Sequence, residues 1–334
     1  MNMIAVAPQR CFPALTANTS ALESLRLPWW RRRTAMQSDT LTYSSPRDPR
    51  WKRWTMRAIE NLSGRRGLLP VYYRWRTEVA GKSPRMMGAL LDMVGTRLDI
   101  AADAWPAVVP AGSPLVIVAN HPFGIGDGVA LLALAEQLGR PYRILINSDF
   151  LRVPEIRPHA LPIDFSATPE AIESNLETRR EARRLLKNGV TIVVFPAGGV
   201  ATAEQPFGKA EELPWKSFTA RLIQLAEAAV LPVYFEGQNS ALFHFVSRYS
   251  LTLRLALLVS EFRHCVDATI KAHVGAVVPF ADLESRAHRN ALTAELYARV
   301  HRLAPGAAGL GPEHLEARPP QLRRRYPWDG KKSR

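Results

Sequence analysis

Five apolar residues, Leu115-Val116-Ile117-Val118-Ala119, run directly into Asn120-His121-Pro122-Phe123-Gly124-Ile125-Gly126-Asp127. A short apolar run that stops at turn-forming residues reads as a buried strand. The spacing after the turn predicts a helix over Gly128–Leu138. The same alternation continues downstream, with strands expected at Tyr142–Ile146, Val190–Phe195 and Val230–Phe235. Helices are expected at Pro169–Asn188 and Lys216–Ala228. Strands alternating with helices predict an α/β fold with a mostly parallel central sheet flanked by helices. In such sheets the loops leaving the carboxyl ends of the strands build the site.

Three of those loops carry chemistry. The first sets His121 and Asp127 on one glycine-containing turn, where the backbone can fold tightly enough to bring the two side chains together. An imidazole held by a carboxylate through one nitrogen presents the other as a general base. Asp127 suits the N-cap of the following helix equally well. The second loop is Phe195-Pro196-Ala197-Gly198-Gly199-Val200, whose paired glycines fit either a tight turn or backbone amides facing an oxyanion. The third, Pro232 to Ser240, delivers Glu236.

In this order, each at a strand end, the three loops resemble the glycerolipid acyltransferase superfamily, and most closely its bacterial hemolysin-like and lyso-ornithine-lipid acyltransferases. The resemblance runs from about Asp48 to Glu284. Asn120-His121 through Asp127 is similar to the catalytic His-x4-Asp block, here with five intervening residues. Phe195-Pro196-Ala197-Gly198 is similar to Phe-Pro-Glu-Gly, and Leu231-Pro232-Val233 to the later proline-valine strand. Asp149-Phe150-Leu151 through Leu161-Pro162-Ile163-Asp164 occupies the place of the acceptor-binding block.

The resemblance implies transfer of an acyl group from an acyl carrier protein or coenzyme A thioester to a lysolipid hydroxyl, with His121 and Asp127 catalytic and no metal or cofactor. Asn120, Phe123, Gly124, Arg152, Arg157, Phe195, Pro196, Ala197, Gly198, Gly199 and Glu236 are the expected substrate-binding residues. Phe165 stands where the superfamily has a phosphate-binding arginine, and Ala197 where it has a glutamate. A site that grips a phosphate dianion needs such an arginine. The acceptor is therefore expected to carry another head group, with Arg152 or Arg157 to meet it. A hydrolase using the same pair to activate water, and a non-catalytic membrane- or nucleic-acid-binding protein, are the alternative readings. The first lacks a Gly-x-Ser-x-Gly nucleophile elbow.

The formal net charge of +14 is unevenly placed: +10 in residues 1–100, −1 in 101–315 and +5 in 316–334. Trp29, Trp30, Trp51, Trp54 and Trp75 all fall within the first hundred residues, several beside arginines or lysines. Tryptophan among basic residues suits an anionic bilayer interface. A solvated arm and nucleic-acid binding compete with that reading, but no nucleic-acid-binding signature is present, so none is expected. Asp48 as N-cap, Pro49 at the first position and Gly64 as a stop mark one amphipathic helix; Ser83-Pro84 opens another that ends at Gly95.

The expected organisation is a basic arm (1–47), a helical membrane-interface region (48–104), an α/β acyltransferase domain (105–284), and a C-terminal helix with a basic tail (285–334). No secretory signal or uninterrupted spanning segment is visible, and Cys11 and Cys265 form no metal or disulfide pattern. A peripheral position on the cytoplasmic face of the inner membrane follows from that expectation. Deleting residues 1–45 is expected to weaken binding to anionic vesicles more at low than at high salt; unchanged sedimentation with the vesicles would refute the assignment.

Overall fold

All five residues of strand β2 (Leu115–Ala119) are fully buried. Leu115, Ile117 and Ala119 point into one hydrophobic cluster, Val116 and Val118 into another. That alternation is the period of a strand covered on both faces. The sheet is built around it in a computed structural model that describes residues 49–307, apart from 63, 111, 165–167 and 206. The basic arm, the Asp48 cap, Cys11, Phe165 and the C-terminal tail lie outside the described residues.

In chain order the remaining strands are β1 (Arg97–Ala101), β3 (Tyr142–Asn147), β4 (Ala160–Ile163), β5 (Thr191–Val194), β6 (Ala229–Phe235) and β7 (Thr269–Val274). They lie in the order β1-β7-β6-β2-β5-β3-β4. Neighbours are parallel except β6 and β7. Because β5 and β6 flank β2 in parallel, the loops after all three emerge together at one edge.

Helices α1 (Arg50–Leu62), α2 (Arg65–Glu78) and α3 (Met86–Met93) precede β1, and α4 (Ile125–Gln137) follows β2. Then come α5 (Pro169–Lys187), α6 (Phe218–Ala226), α7 (Ala241–Ser247), α8 (Leu251–Arg263) and α9 (Arg289–His301). Side chains of α2, α3, α4 and α8 fill the first cluster, those of α5, α6 and α9 the second. Thr168 caps α5 by accepting the Ala171 N–H, with Pro169 next, as the sequence pattern predicts.

Several expectations change. The helix expected at Gly128 starts at Ile125, so Asp127 sits in its first turn and is not its N-cap. The Lys216–Ala228 helix is shorter, Phe218–Ala226. Helix α2 forms although Pro70 lies inside it, because Leu68, Tyr72 and Trp75 share one face and bury it. Helix α3 buries Met86, Met87, Gly88 and Leu91 against α4, so its apolar face belongs to the core and not to lipid. Two carboxylate oxygens of Glu136 on α4 accept the Met87 and Gly88 N–H groups at 2.8 and 2.9 Å. Strand β1 falls inside the expected membrane-interface region, and α9 inside the expected C-terminal appendage; both are integral to the α/β unit.

On α1 the apolar residues divide. Met56 and Glu60 are buried and Ile59 joins a third cluster with Val200, Phe243, Leu257 and Leu258, whereas Trp51 and Trp54 are 72% and 74% exposed. At 100° per residue Trp51, Trp54 and Ala58 lie opposite Met56 and Glu60.

His159, stacked on Tyr142 with ring centroids 4.8 Å apart, has its imidazole pushed down to about 4, by burial first and then by the Arg143 charge. An unfolded histidine takes up its proton near 6.5. The unfolded chain therefore binds more protons between those values, and the stability that the neutral ring contributes is complete above pH 6.5 and drains away as pH falls toward 4. His159→Phe should flatten that loss, measured as the urea midpoint at pH 7 and pH 5; an equal loss in both proteins would refute the assignment.

Candidate active site

Strand β2 ends at Ala119, and the next residues turn out of the sheet. Asn120 fastens that turn to the end of β6: its Nδ2 donates to the Phe235 carbonyl at 2.9 Å and its Oδ1 accepts the Phe235 N–H at 2.7 Å. Both ends of its amide face backbone and the residue is buried, so Asn120 fastens the turn. Gly124 then adopts φ 93°, and a Cβ there would lie 2.8 Å from Leu258 Cδ2 and 3.1 Å from Val200 Cγ2. Only glycine fits this corner, which starts α4 early enough to swing Asp127 back toward His121.

His121 Nδ1 lies 3.0 Å from Asp127 Oδ2, and the Phe123 N–H donates to the same oxygen at 3.1 Å. Asp127 is fully buried and the His121 side chain 16% exposed, so the imidazole is the member of the pair that meets solvent. With Nδ1 facing the carboxylate, Nε2 is the nitrogen left for chemistry. The ring stacks on Phe195, from the loop after β5, with centroids 4.0 Å apart and planes inclined 19°. Beneath the turn, Cys265 packs against Gly126, where a Cβ would sit 2.7 Å from its Sγ. Burial first, then the charges of Asp127 and Glu261, push the Cys265 thiol up to about 12, which keeps it protonated.

The other expected residues divide. Phe195 reaches the histidine. Phe123 contributes backbone: its carbonyl accepts from Asn239 Nδ2 at 3.3 Å. Pro196 and Ala197 are buried, and the Pro196 carbonyl accepts the Lys216 N–H. The Gly198 N–H donates to the Phe195 carbonyl at 3.0 Å and closes a turn there. Gly199 packs on Leu213. Glu236 faces His273 Nε2 and, at 3.9 Å, Lys271 Nζ, which ties it to β7. Arg157 donates from Nε to the Leu151 carbonyl at 2.7 Å, and Arg152 ends the 3-10 turn Ser148–Arg152.

Four contributors lie outside the sequence motifs. The Ala201 N–H donates to the His121 carbonyl at 2.8 Å, and the His121 N–H to Glu212 Oε1 at 2.9 Å. Arg254 on α8 donates to the Val200 carbonyl and to Thr202 Oγ1, holding the segment that carries Ala201. His301 on α9 meets the second oxygen of Glu212 at 3.0 Å. No periodic pattern marks these residues; the only local signal is an acidic pair, Glu211-Glu212, three residues ahead of Trp215. Among the described residues no group of three or more His, Cys, Asp or Glu is placed to hold a metal ion.

Comparison with known proteins gives the family. The family model described as Acyltransferase matches residues 93–263, just over half of the chain. The lyso-glycine lipid O-acyltransferases of Phocaeicola vulgatus and Bacteroides thetaiotaomicron are 27% identical over 143 residues and 29% over 146. Each alignment takes in 41% of this chain and 47% or 48% of the relative, so the chain spans about half the length of the curated relatives it matches. The crystal structure of the 1-acyl-sn-glycerophosphate acyltransferase PlsC from Thermotoga maritima is 14% identical, with a TM-score of 0.43, covering 75% of this chain and 97% of that one. The matched residues include β2, the turn after it, and both His121 and Asp127: the chain belongs to the acyltransferase family.

Proposed function

We propose that the protein transfers a fatty acyl group from a thioester of acyl carrier protein or coenzyme A to the hydroxyl of a lysolipid. The observation that carries this reading is the 3.0 Å contact between His121 Nδ1 and the buried carboxylate of Asp127 in a chain of the acyltransferase family. His121 Nε2 takes the proton of the acceptor hydroxyl as its oxygen attacks the thioester carbonyl. The tetrahedral intermediate collapses with cleavage of the C–S bond, and the imidazolium returns the proton to the leaving thiolate. Asp127 fixes the ring and stabilises its cationic form. Base assistance of this kind contributes about 10²–10⁴ in rate.

The head group is proposed to lack a glycerol phosphate. Ala197 brings no charge to the site and is buried. The relatives named for lyso-glycine lipid support an acceptor of the amino-acid lipid kind, lyso-ornithine lipid included. Such an acceptor stays in a bilayer, and α1 supports a peripheral seat there. Trp51 and Trp54 stand exposed beside Arg50, Arg53 and Arg57, which recur at helical spacing. Each basic residue at an anionic surface contributes roughly 1 kcal/mol. No described helix is long and apolar enough to cross a membrane. The cytoplasmic face of the inner membrane, where acyl carrier protein and coenzyme A thioesters are made, is the proposed location.

Two measurements test this. With a labelled acyl thioester and a panel of lysolipids, His121→Ala and Asp127→Asn should each lower kcat about 10²–10⁴-fold in folded protein. Lipid product persisting in His121→Ala, or thioester loss with no lipid product in the parent, would refute the reading. The double variant Trp51→Ser/Trp54→Ser should release the protein from anionic vesicles, and retention at the parent level would refute the bilayer seat.

A further inference from the structure

The main-chain groups of His121 lie past the end of the β2 ladder, so they need partners from outside it. The carbonyl is taken by Ala201, and the N–H by a side chain, Glu212 Oε1, which reaches across from the segment ahead of α6. Glu212 is only 8% exposed. A carboxylate buried to that degree is costly unless its oxygens are occupied. Its second oxygen is occupied by two groups, Trp215 Nε1 at 3.0 Å and His301 Nε2 at 3.0 Å. The His301 ring centroid lies 4.0 Å from that of Tyr297, with the planes inclined 32°, and α9, which carries both, is anchored through the buried Leu292, Leu296 and Val300. A chain of contacts therefore runs from the second core, through His301 and Glu212, to the peptide that bears the candidate base. His301 lies beyond residue 263, where the match to the family ends.

We infer that Glu212 is a positioning residue for the transfer reaction: held by His301 and Trp215, it fixes the His121 peptide so that Nε2 keeps its line to the acceptor hydroxyl. The inference rests on His121 acting as the base. An imidazole swings about its own Cα, so a tilt of that peptide displaces Nε2. A displacement of about 1 Å costs on the order of 10²-fold in rate without weakening substrate binding.

Steady-state kinetics and histidine NMR on the full chain test it together. Glu212→Ala is expected to lower kcat about 10–100-fold with KM for the acyl thioester unchanged, and to shift the ¹⁵N resonance of His121 Nδ1 as its contact with Asp127 loosens. Glu212→Gln keeps an oxygen for the His121 N–H and should regain most of the loss. His301→Ala, which leaves that hydrogen bond in place but frees its anchor, should lose several-fold. If Glu212→Ala does not fold, His301→Ala carries the test: parent kcat and an unshifted His121 resonance there would overturn the inference. So would a folded Glu212→Ala protein with parent kcat, or one altered only in KM. His121→Ala run alongside separates the two failures. Transfer surviving there defeats the acyl-transfer mechanism itself, whereas transfer lost there but intact in Glu212→Ala and His301→Ala defeats only the positioning role.

Discussion

A strand that ends beneath a reactive side chain leaves main-chain groups without ladder partners, and the structure around β2 is arranged to supply them. Asn120 closes on the Phe235 backbone, Ala201 and Glu212 take the two polar groups of His121, and Asp127 takes the Phe123 N–H. Ala201 and Glu212 both come from the connection between β5 and α6, Asp127 from α4, and Asn120 from the turn itself. The loop after β5 is in place because Arg254 holds Val200 and Thr202, and the loop after β6 because Asn239 reaches Phe123. An amide left unpaired in this buried setting costs about 1–3 kcal/mol, so turn geometry and imidazole geometry stand or fall together.

What the sequence reveals of this arrangement follows from how local each signal is. Strand β2 is legible because five consecutive apolar residues are buried on both faces. The boundaries expected for Tyr142, Val190 and Val230 fall within a residue or so of the observed strands for the same reason. Strands β1 and β7 escape notice because they pair outside the five-stranded parallel core and alternate apolar with charged residues, as in Arg97-Leu98-Asp99-Ile100-Ala101. Strand β4 is only four residues long and includes a proline. Helix α2 is masked by Pro70, and its burial face appears only once the core it covers is known.

The site divides along the same line. His121 and Asp127 are six residues apart, so the sequence can show that one turn brings them together. Glu212 and His301 lie about 90 residues or more beyond His121, and carboxylates or histidines at such separations have no period to betray them. Asn120 and Gly198 show a different limit. Residue type and place in a motif suggest ligand contact, and the structure adds a fastening role through bonds to the Phe235 and Phe195 backbone. The fastening bonds of Asn120 are legible only in coordinates, because their partner lies on another element.

The charge distribution gains a structural meaning from α1. Its inner face shares a cluster through Ile59 with Val200 and Leu258, and those two residues are the ones that crowd the missing Cβ of Gly124. The helix proposed to meet the bilayer is therefore one packing layer away from the corner that aims Asp127 at His121. A lysolipid that never fully leaves the membrane avoids the cost of exposing its remaining chain to water, about 0.8 kcal/mol per methylene. On the proposed reading, that saving favours a base placed close behind the membrane face, and the exposed Trp51 and Trp54 with the arginines of α1 would supply that face.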